Sequence, residues 1–424
     1  MEHGMNEKTP GSLRLAMGSI GIGRIQRGFE RYFGDLFNVL RDRLDLTLYR
    51  SRGSESLHDK IPPFLRPATF LAHALPLGQI VEGAEYKHYK HDCLAFGLSL
   101  LPELLHERYD VLHVIDYPLA IVLERLQRLF RFRTRLLFTN GCCMPPQYYP
   151  RVSHVHHVAE VFYQASLARG VPESHLTFVP CGIHAQHFET KLSRQELRRK
   201  HRVSEDTFVI LAVTAVKRKH KRVDHIIEEV SRLGGDILLW IDGNPEDPSI
   251  PKLAHAKLGT RCRITYLPSS ELPELYHLAD LMVHAALEES FGLAIVEALS
   301  TGRMVLTHDS PHFQWLLQDR ACLVDMSTPG TLSARLRELM ACRAGLLDGA
   351  QDRAAMARRR FDWQSLTPAY IEMYRKVAAL STSVRVDTRA MAARQSLPKG
   401  FATSPPARHA VVCQTGEAPR GRRA

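Results

Sequence analysis

The sequence predicts an α/β protein made of two doubly wound domains, each a parallel sheet covered by helices. A chain of 424 residues is too long for one ordinary hydrophobic core, so two domains of about 180 residues and a tail are expected. From residue 13 onward, short apolar runs alternate with longer amphipathic stretches, which is the pattern of parallel strands and their covering helices. The alternation pauses at residues 185–200 and then begins again, which indicates a second domain.

The same pattern sets the expected domain boundaries. We expect a first Rossmann-like, acceptor-side domain over residues 1–190 and a second, donor-side one over residues 191–360. A helix over residues 361–381 would pack back toward the first domain. Residues 382–424 are poor in large apolar side chains and rich in Pro, Ser, Ala and Arg. Such a composition buries too little apolar surface to offset the entropy of ordering, so a basic disordered tail is expected.

The elements of the first half follow from its apolar runs. The stretches "RIQRGFERYFGDLFNVL" and "PLAIVLERLQRLF" have helical spacing. The segment 51–85 is rich in Pro, Gly and Ser and predicts neither a helix nor a strand. The apolar runs predict strands at residues 13–17, 45–50, 110–116, 135–140 and 175–180.

The second half repeats the alternation. In "SSELPELYHLAD", a Ser in the capping position and an early Pro mark the start of a helix. Ligands of open parallel sheets bind beyond the carboxyl ends of the strands, so with two facing domains we expect the site in the cleft between them. Strands are expected at residues 208–214, 237–243, 263–267, 281–287, 304–308 and 321–325.

Composition limits the class of protein. Hydrophobic residues make up 45% and charged residues 24% of the chain, as in a folded globular protein. The sequence has no apolar run of about 18 residues and no secretory signal layout, so a cytoplasmic location is expected, with peripheral contact at the inner face of the membrane as an option. The eight cysteines lack C-x-x-C spacing and predict free thiols. The alternating run "HVHH" has no third ligand nearby, so no metal site is expected.

Two glutamates separated by seven residues, Glu289 and Glu297, stand in the run "EESFGLAIVEALSTG". The strand predicted at 281–287 would end before "EESFG", which would be a loop, and "LAIVEALSTG" would be a helix closed by Gly302. One alternative is that both glutamates are solvated surface charges. The apolar neighbours of Glu297 argue instead for burial, and a buried carboxylate needs partners.

The residues between these glutamates suit a nucleotide sugar. The backbone N–H groups of Phe291, Gly292 and Leu293 lie at the expected helix amino terminus, which attracts phosphate. A carboxylate accepts hydrogen bonds from two vicinal hydroxyls, so one glutamate suits a ribose and the other a sugar.

A basic cluster follows the predicted strand at 208–214. In "AVKRKHKRVDHIIEEV", Arg218 and Lys221 would lie beyond the carboxyl end of that strand, where cations neutralise a diphosphate leaving group. The alternatives are a solvated basic loop and nucleic-acid binding, which the net charge of +11 also suggests. No aromatic residue interleaves with "KRKHKR", so base stacking finds no support and nucleic acid is not the expected partner.

Gly21 and Gly23 follow the first predicted strand, in "GSIGIGRIQRG". A dinucleotide fingerprint would have a third glycine at Gln26 and an acidic residue at the end of the next strand, where Arg50 leaves only a weak case for NADP. The two glycines are therefore expected to form a flexible turn that lines the cleft.

These motifs resemble glycosyltransferase family 4, the retaining nucleotide-sugar enzymes of GT-B fold, over residues 13–380. "EESFGLAIVEALSTGRMVLTHDSP" is similar to the E-x7-E region of the family, and "VKRKHKRVDHII" to its basic donor-phosphate segment. "GIGR" resembles the amino-terminal glycine loop, and "VPCGIHAQHF" the stretch that leads into the second domain. The resemblance implies a GT-B fold and a retaining hexosyltransferase that uses a nucleotide diphosphate sugar without a metal or another cofactor.

The resemblance also implies residue roles. Glu297 would bind the nucleotide ribose, and Glu289 would contact the donor sugar near its reacting face. Arg218 and Lys221 would hold the diphosphate. The donor-binding set is completed by Ser290, Phe291, Gly292, Leu293, Gly21 and Gly23.

One position on the acceptor side departs from the family. "DVLHVIDYP" has Ile115 where many relatives carry a histidine. Either Asp116 takes part of that catalytic role, or His113 is a core residue with no role. The departure leaves open a non-catalytic protein that binds a nucleotide sugar. The acceptor is not indicated and ranges from a glycan to a lipid-linked or small molecule.

The stretch "RIQRGFERYFGDLFNVLRDRL" sets apolar side chains at helical spacing beside arginines. The preferred interpretation is a core-facing helix with a solvated basic face, and the alternative is a helix that lies on anionic lipid. The apolar positions are Phe29, Phe33, Leu36, Phe37 and Leu40.

Overall fold

The computed structural model describes residues 13–24, 28–53, 55–74, 87–106 and 109–381. They form two compact units, each with its own parallel sheet. The tail predicted over residues 382–424 lies outside the described residues, as do Gln26 and its two neighbours in the chain.

The first unit contains the residues up to Val179 together with those from Thr367 onward. Its sheet has the strand order β3-β2-β1-β4-β5-β6-β7, with every pair parallel. This is the order of a doubly wound sheet. Strands are added toward one side from β1 to β3 and toward the other side from β4 to β7. The strands are β1 (Arg14–Ser19), β2 (Asp45–Arg50), β3 (Asp59–Lys60), β4 (Val111–Val114), β5 (Arg135–Asn140), β6 (His154–His157) and β7 (Leu176–Phe178).

Helix packing in this unit follows the apolar faces of its helices. In the first of them, Phe33, Leu36, Phe37 and Leu40 are buried, so the core-facing interpretation is confirmed and this apolar face is not open to lipid. The helices are α1 (Gly28–Leu40), α2 (Leu65–Ala74), α3 (Lys87–His106), α4 (Tyr117–Phe130) and α5 (Glu160–Ala168).

The second unit spans Pro180–Leu366 and has a sheet with the order β10-β9-β8-β11-β12-β13. Its strands are β8 (Phe208–Val213), β9 (Ile237–Asp242), β10 (Cys262–Thr265), β11 (Leu281–His284), β12 (Val305–His308) and β13 (Leu323–Val324). Its helices are α6 (Arg194–Lys200), α7 (Val223–Ser231), α8 (Ser249–Leu258), α9 (Leu272–Leu278), α10 (Leu293–Ser300), α11 (Pro311–Leu317), α12 (Thr331–Ala341) and α13 (Ala350–Phe361).

The border between the units differs from the expected positions at 190/191 and 360/361. Residues after Val179 join the second unit because Ile183 forms a parallel bridge to Asp362, whose carboxylate also accepts the Ala185 N–H at 3.0 Å. The last helix, α14 (Trp363–Ala379), crosses the other border, and its residues from Thr367 belong to the first unit.

The sequence patterns did not single out β3, α2, α3 or α5. Strand β3 has only two residues, and α2 lies in the Pro- and Gly-rich segment, where an apolar pattern is hard to see. The run "HVHH" forms β6, and all four of its side chains are buried.

A chain of hydrogen bonds runs through the core of the first unit. His113 Nδ1 contacts the Tyr374 hydroxyl at 2.7 Å, and its Nε2 contacts Thr139 Oγ1 at 2.5 Å. Thr139 Oγ1 in turn contacts His156 Nδ1 at 2.8 Å. His113 is fully buried, and burial lowers its pKa well below the ordinary value, so it is a neutral core residue.

Among the described residues, no helix combines the length and the apolar character that crossing a membrane requires.

Candidate functional site

The loop after β11 holds Glu289 in a buried, fully bonded position. All four residues of β11 are buried, and the chain leaves the sheet at its carboxyl edge after His284. Glu289 is only 7% exposed. Its Oε2 accepts a hydrogen bond from His284 Nε2 at 3.1 Å and forms an ion pair with Lys221 Nζ. Its Oε1 accepts the Ser290 N–H at 3.1 Å.

Lys221 reaches Glu289 because the loop after β8 is folded tightly. His220 and Arg222 both have left-handed backbone angles, with φ of 66° and 51°. The Arg222 guanidinium donates to the carbonyl oxygens of Met326 at 2.7 Å and Ala285 at 3.4 Å. These bonds connect the loops that follow β8, β11 and β13 at one edge of the sheet.

The electrostatics of this cluster are unusual for buried side chains. Burial by itself raises the pKa of Glu289, but Lys221 and His284 together hold that pKa well below the ordinary value, so the carboxylate is ionised. Burial lowers the pKa of His284 despite its bond to Glu289, and it lowers the pKa of His220 to about 4. The cluster therefore pairs an ionised carboxylate with Lys221 and holds two imidazoles, those of His220 and His284, whose pKa values burial lowers.

Helix α10 begins beside the Glu289–Lys221 ion pair. Gly292 caps it with a φ of 99°, a conformation that L side chains rarely adopt, and an added Cβ would meet Ile295 Cδ1 at 2.8 Å. The preceding turn is held by His312, whose Nε2 contacts the Phe291 carbonyl oxygen at 2.9 Å. The first N–H groups of a helix have no intrahelical partner, so the amide of Leu293 is available to an anion.

Glu297 lies on α10 but is not open to solvent. It is 1% exposed, and its Oε2 accepts a hydrogen bond from the Tyr276 hydroxyl of α9 at 2.8 Å. The burial expected from its apolar neighbours is confirmed. Its role toward a ribose stays a prediction.

Arg218 shares the loop of Lys221 but points elsewhere. Its Nε lies 3.1 Å from Ser249 Oγ and 3.7 Å from an Asp247 carboxylate oxygen, at the start of α8. Its side chain is 44% exposed, against 19% for Lys221. The structure thus joins Lys221 to Glu289 and holds Arg218 at the neighbouring loop after β9.

The other predicted residues belong to the first unit. Gly21 and Gly23 follow β1, and Gly23 has a φ of 77° with the Arg52 carbonyl oxygen 2.9 Å from an added Cβ. Asp116 follows β4 and is 5% exposed. Its Oδ2 accepts the Ile20 N–H at 3.1 Å, and its Oδ1 accepts the Tyr89 hydroxyl. The carboxylate therefore holds the start of the glycine loop against β4.

Sequence reasoning missed two histidines of the Glu289 cluster, His220 and His284, and a third, His312, that holds the turn beside it. His284 ends an apolar strand, His220 lies inside a basic run, and His312 opens α11. A polar residue at the carboxyl end of an apolar strand was the available signal for His284. No comparable signal existed for His312, because its contact with Phe291 joins positions far apart in the chain.

Within the described parts of the chain, no group of three or more His, Cys, Asp or Glu side chains is placed to hold a metal ion.

The segment that contains this cluster is similar to a known protein family. Residues 193–360 match the family model described as glycosyl transferases group 1. The matched segment lies within the second unit and contains Lys221, Glu289 and Glu297. The glycosyltransferase resemblance predicted from the sequence is thus confirmed for this segment at the level of group 1.

Curated relatives have glycosyltransferase names. The chain is 24% identical to the alpha-galactosylglucosyldiacylglycerol synthase of Streptococcus pneumoniae, over 55% of this chain and 63% of the relative. It is 28% identical to the lipopolysaccharide glucosyltransferase WaaG of Escherichia coli, over 32% of this chain and 37% of the relative. The chain therefore matches less than two thirds of the length of either relative.

Solved structures agree with the whole architecture. The sucrose-phosphate synthase of Thermosynechococcus elongatus superposes with a TM-score of 0.69 at 15% identity, over 87% of this chain and 99% of that one. Anabaena Alr3699/HepE, solved in complex with UDP and glucose, gives a TM-score of 0.65 at 15% identity, over 87% and 100%. The predicted GT-B fold class is confirmed.

Proposed function

We propose that this protein is a glycosyltransferase that moves a sugar from a nucleotide diphosphate sugar to an acceptor. The observation that supports it best is the ion pair between the buried Glu289 and the partly buried Lys221 beside the amino terminus of α10, within a segment that matches group 1 glycosyl transferases. A buried carboxylate and a partly buried ammonium group at the carboxyl edge of a parallel sheet suit a ligand that carries both hydroxyl and phosphate groups.

Lys221 and the start of α10 supply the positive potential that the leaving diphosphate requires. Negative charge grows on the diphosphate as its bond to the sugar breaks, and fixed cations in a dry site stabilise that charge strongly. In the structure Lys221 forms an ion pair with Glu289. We expect the diphosphate to take Lys221 from Glu289 when the donor binds.

Glu289 then gains a free lone pair at Oε2, where Lys221 had been bound. A carboxylate that His284 and the Ser290 amide hold in place can accept a hydrogen bond from a sugar hydroxyl. Arg218 is the proposed second cation for the diphosphate, and Glu297 the proposed acceptor for the ribose. Gly21 and Gly23 are proposed to complete the donor-binding set, and Asp116 is proposed for a catalytic role on the acceptor side.

The proposed reaction retains the anomeric configuration and needs no divalent metal. Lys221 is the cation proposed to meet the diphosphate in place of a metal. A front-face attack lets the leaving phosphate oxygen take the proton of the incoming hydroxyl. Proton NMR of the first-formed product, with and without EDTA, tests both statements. An inverted product, or activity lost with EDTA and restored by magnesium, would contradict them.

Binding of the donor is tested with the Lys221→Met and Glu289→Gln variants. Titration calorimetry with UDP should show at least about tenfold weaker binding for Lys221→Met, since charge-assisted hydrogen bonds to phosphate contribute about 1.5 to 3 kcal/mol. Glu289→Gln should weaken UDP-glucose more than UDP. Lys252→Met, an exposed lysine of α8, is the matched control. Unchanged UDP affinity in Lys221→Met would refute the assigned diphosphate site.

A nucleotide-sugar-binding protein without transferase activity is the second candidate. Two observations favour it: Ile115 is buried where many relatives carry a histidine, and both carboxylate oxygens of Asp116 already have partners. UDP-glucose hydrolysis or transfer, measured by release of UDP, separates the candidates. Binding that never leads to UDP release across a panel of sugar and lipid acceptors would favour the non-catalytic protein.

A further inference from the structure

A cavity lies in the second unit, away from Glu289. Its volume is about 390 Å³, and its walls carry three arginines, one carboxylate and an apolar side. The arginines are Arg194, Arg303 and Arg343, the carboxylate is Asp280, and Ala344 and Leu346 belong to the apolar side.

The strand ends locate this cavity at the opposite edge of the sheet from the proposed donor site. Asp280 immediately precedes β11 and Arg303 lies two residues before β12, so both are at the amino ends of their strands. Lys221 and Glu289 follow the carboxyl ends of β8 and β11. Strands of four to six residues separate the edges by roughly 13 to 20 Å.

One carboxylate serves several cations at this cavity. Asp280 accepts hydrogen bonds from Arg194 at 2.5 Å, from Arg343 at 2.8 Å and from the fully buried Arg198 at 2.8 Å. Burial alone would raise the pKa of Asp280, but these bonds and the Val209 amide hold it below its ordinary value. With Arg303 included, four guanidinium groups surround a single negative charge.

Among these four arginines, Arg303 makes the fewest hydrogen bonds within the described structure. It is 6% exposed, and its Nη2 donates a long hydrogen bond to the His277 carbonyl oxygen at 3.3 Å. Within the described structure its buried Nε has no hydrogen-bond partner. Burial and the neighbouring Arg194 lower the pKa of Arg303 to about 10, so it stays protonated near neutral pH. Arg303 also lines the cavity, so a bound anion would lie beside its guanidinium group and could accept a charge-assisted hydrogen bond there.

We propose that this cavity is a binding site for the phosphate group of a small soluble phosphate ester, separate from the donor site. The surplus of positive charge exceeds what one carboxylate neutralises, and a phosphate dianion offers tetrahedral acceptors that guanidinium forks match well. The apolar wall at Ala344 and Leu346 would contact the organic part of the ester.

Titration calorimetry with inorganic phosphate at constant ionic strength tests the proposal. Arg303→Met should weaken phosphate binding at least about tenfold, the factor that corresponds to losing one charge-assisted hydrogen bond. Arg359→Met removes an exposed arginine of α13 and should leave the affinity unchanged. Lys221→Met should also leave this binding in place, which distinguishes the cavity from the proposed donor site.

A second variant covers the case in which Arg303→Met fails to fold. Ala344→Glu sets a carboxylate at the exposed cavity wall without removing a native hydrogen bond, and it should also abolish phosphate binding. Phosphate binding that survives both variants, or that only Lys221→Met removes, would overturn the proposal. Loss of sedimentation with phosphatidylglycerol vesicles in Arg303→Met alone would overturn the assignment to a soluble ester.

Discussion

At the scale of single residues, Glu297 has both a structural and a proposed functional role. Its carboxylate is buried and accepts the Tyr276 hydroxyl at 2.8 Å, so Glu297→Ala should lower the free energy of unfolding by about 1 to 3 kcal/mol. The variant should also weaken UDP binding if the ribose contact exists. Tyr276→Phe removes the same internal bond while keeping the carboxylate. Urea unfolding and UDP titration of both variants separate the roles: equal effects on UDP binding would mean that Glu297 acts only through the fold.

The left-handed backbone conformation of Gly292 shapes the turn before α10. Its φ of 99° and the 2.8 Å approach of Ile295 to an added Cβ predict that Gly292→Ala costs about 1 to 3 kcal/mol of stability. The turn before α10 should shift as well and weaken UDP binding. Gly234→Ala is the matched control, because an added Cβ there meets no atom within 4 Å. Thermal unfolding and calorimetry measure both effects, and a Gly292→Ala protein as stable as Gly234→Ala would contradict the strain argument.

At the scale of elements, sequence patterns predicted what periodicity can encode. The apolar runs located β2 and β5 at their observed bounds, because a buried parallel strand is apolar on both faces. The two residues of β3 are too short to form a pattern. The pairing of Lys221 with Glu289 joins positions 68 residues apart, and it depends on which strands are neighbours in the sheet. The two loops that hold Lys221 and Glu289 were therefore predictable from the sequence. Their ion pair and the arginine cavity were not.

Strand β6 makes the stability of the first unit dependent on pH. Burial lowers the pKa of His156 to about 4 and that of His157 to about 3, whereas an unfolded histidine titrates near about pH 6.5. The depressed pKa values contribute stability that is complete above about pH 6.5 and is lost as pH falls toward the folded values, at about 1.4 kcal/mol per pH unit for each histidine.

Between pH 6 and pH 5 the natural protein takes up roughly one more proton at His156 when it unfolds. The His156→Gln variant lacks this proton uptake, so its free energy of unfolding should fall less over the same pH range. Urea unfolding at a series of pH values measures this slope. His106→Gln, at an exposed position near the end of α3, should keep the natural slope. A His156→Gln slope equal to that of the natural protein would show that His156 takes up its proton equally in both states.

At the scale of the whole molecule, positive charge is distributed unevenly along the chain. The net charge is +11, and residues 382–424 carry eight basic and two acidic side chains. The apolar face of α1 is buried, so peripheral membrane contact, if the acceptor is lipid-linked, would depend on electrostatics.

We therefore expect the full chain to sediment with vesicles containing phosphatidylglycerol and to remain in solution with vesicles of phosphatidylcholine. A chain ending at residue 381 should bind the anionic vesicles several-fold more weakly, because each basic side chain near an anionic surface contributes about 1 kcal/mol or less. Raising the salt concentration from 0.05 to about 0.5 M should release the full chain, since screening shortens the range of the attraction. Equal binding of both chains to both vesicle types would exclude the tail as a membrane contact and leave a soluble acceptor as the better proposal.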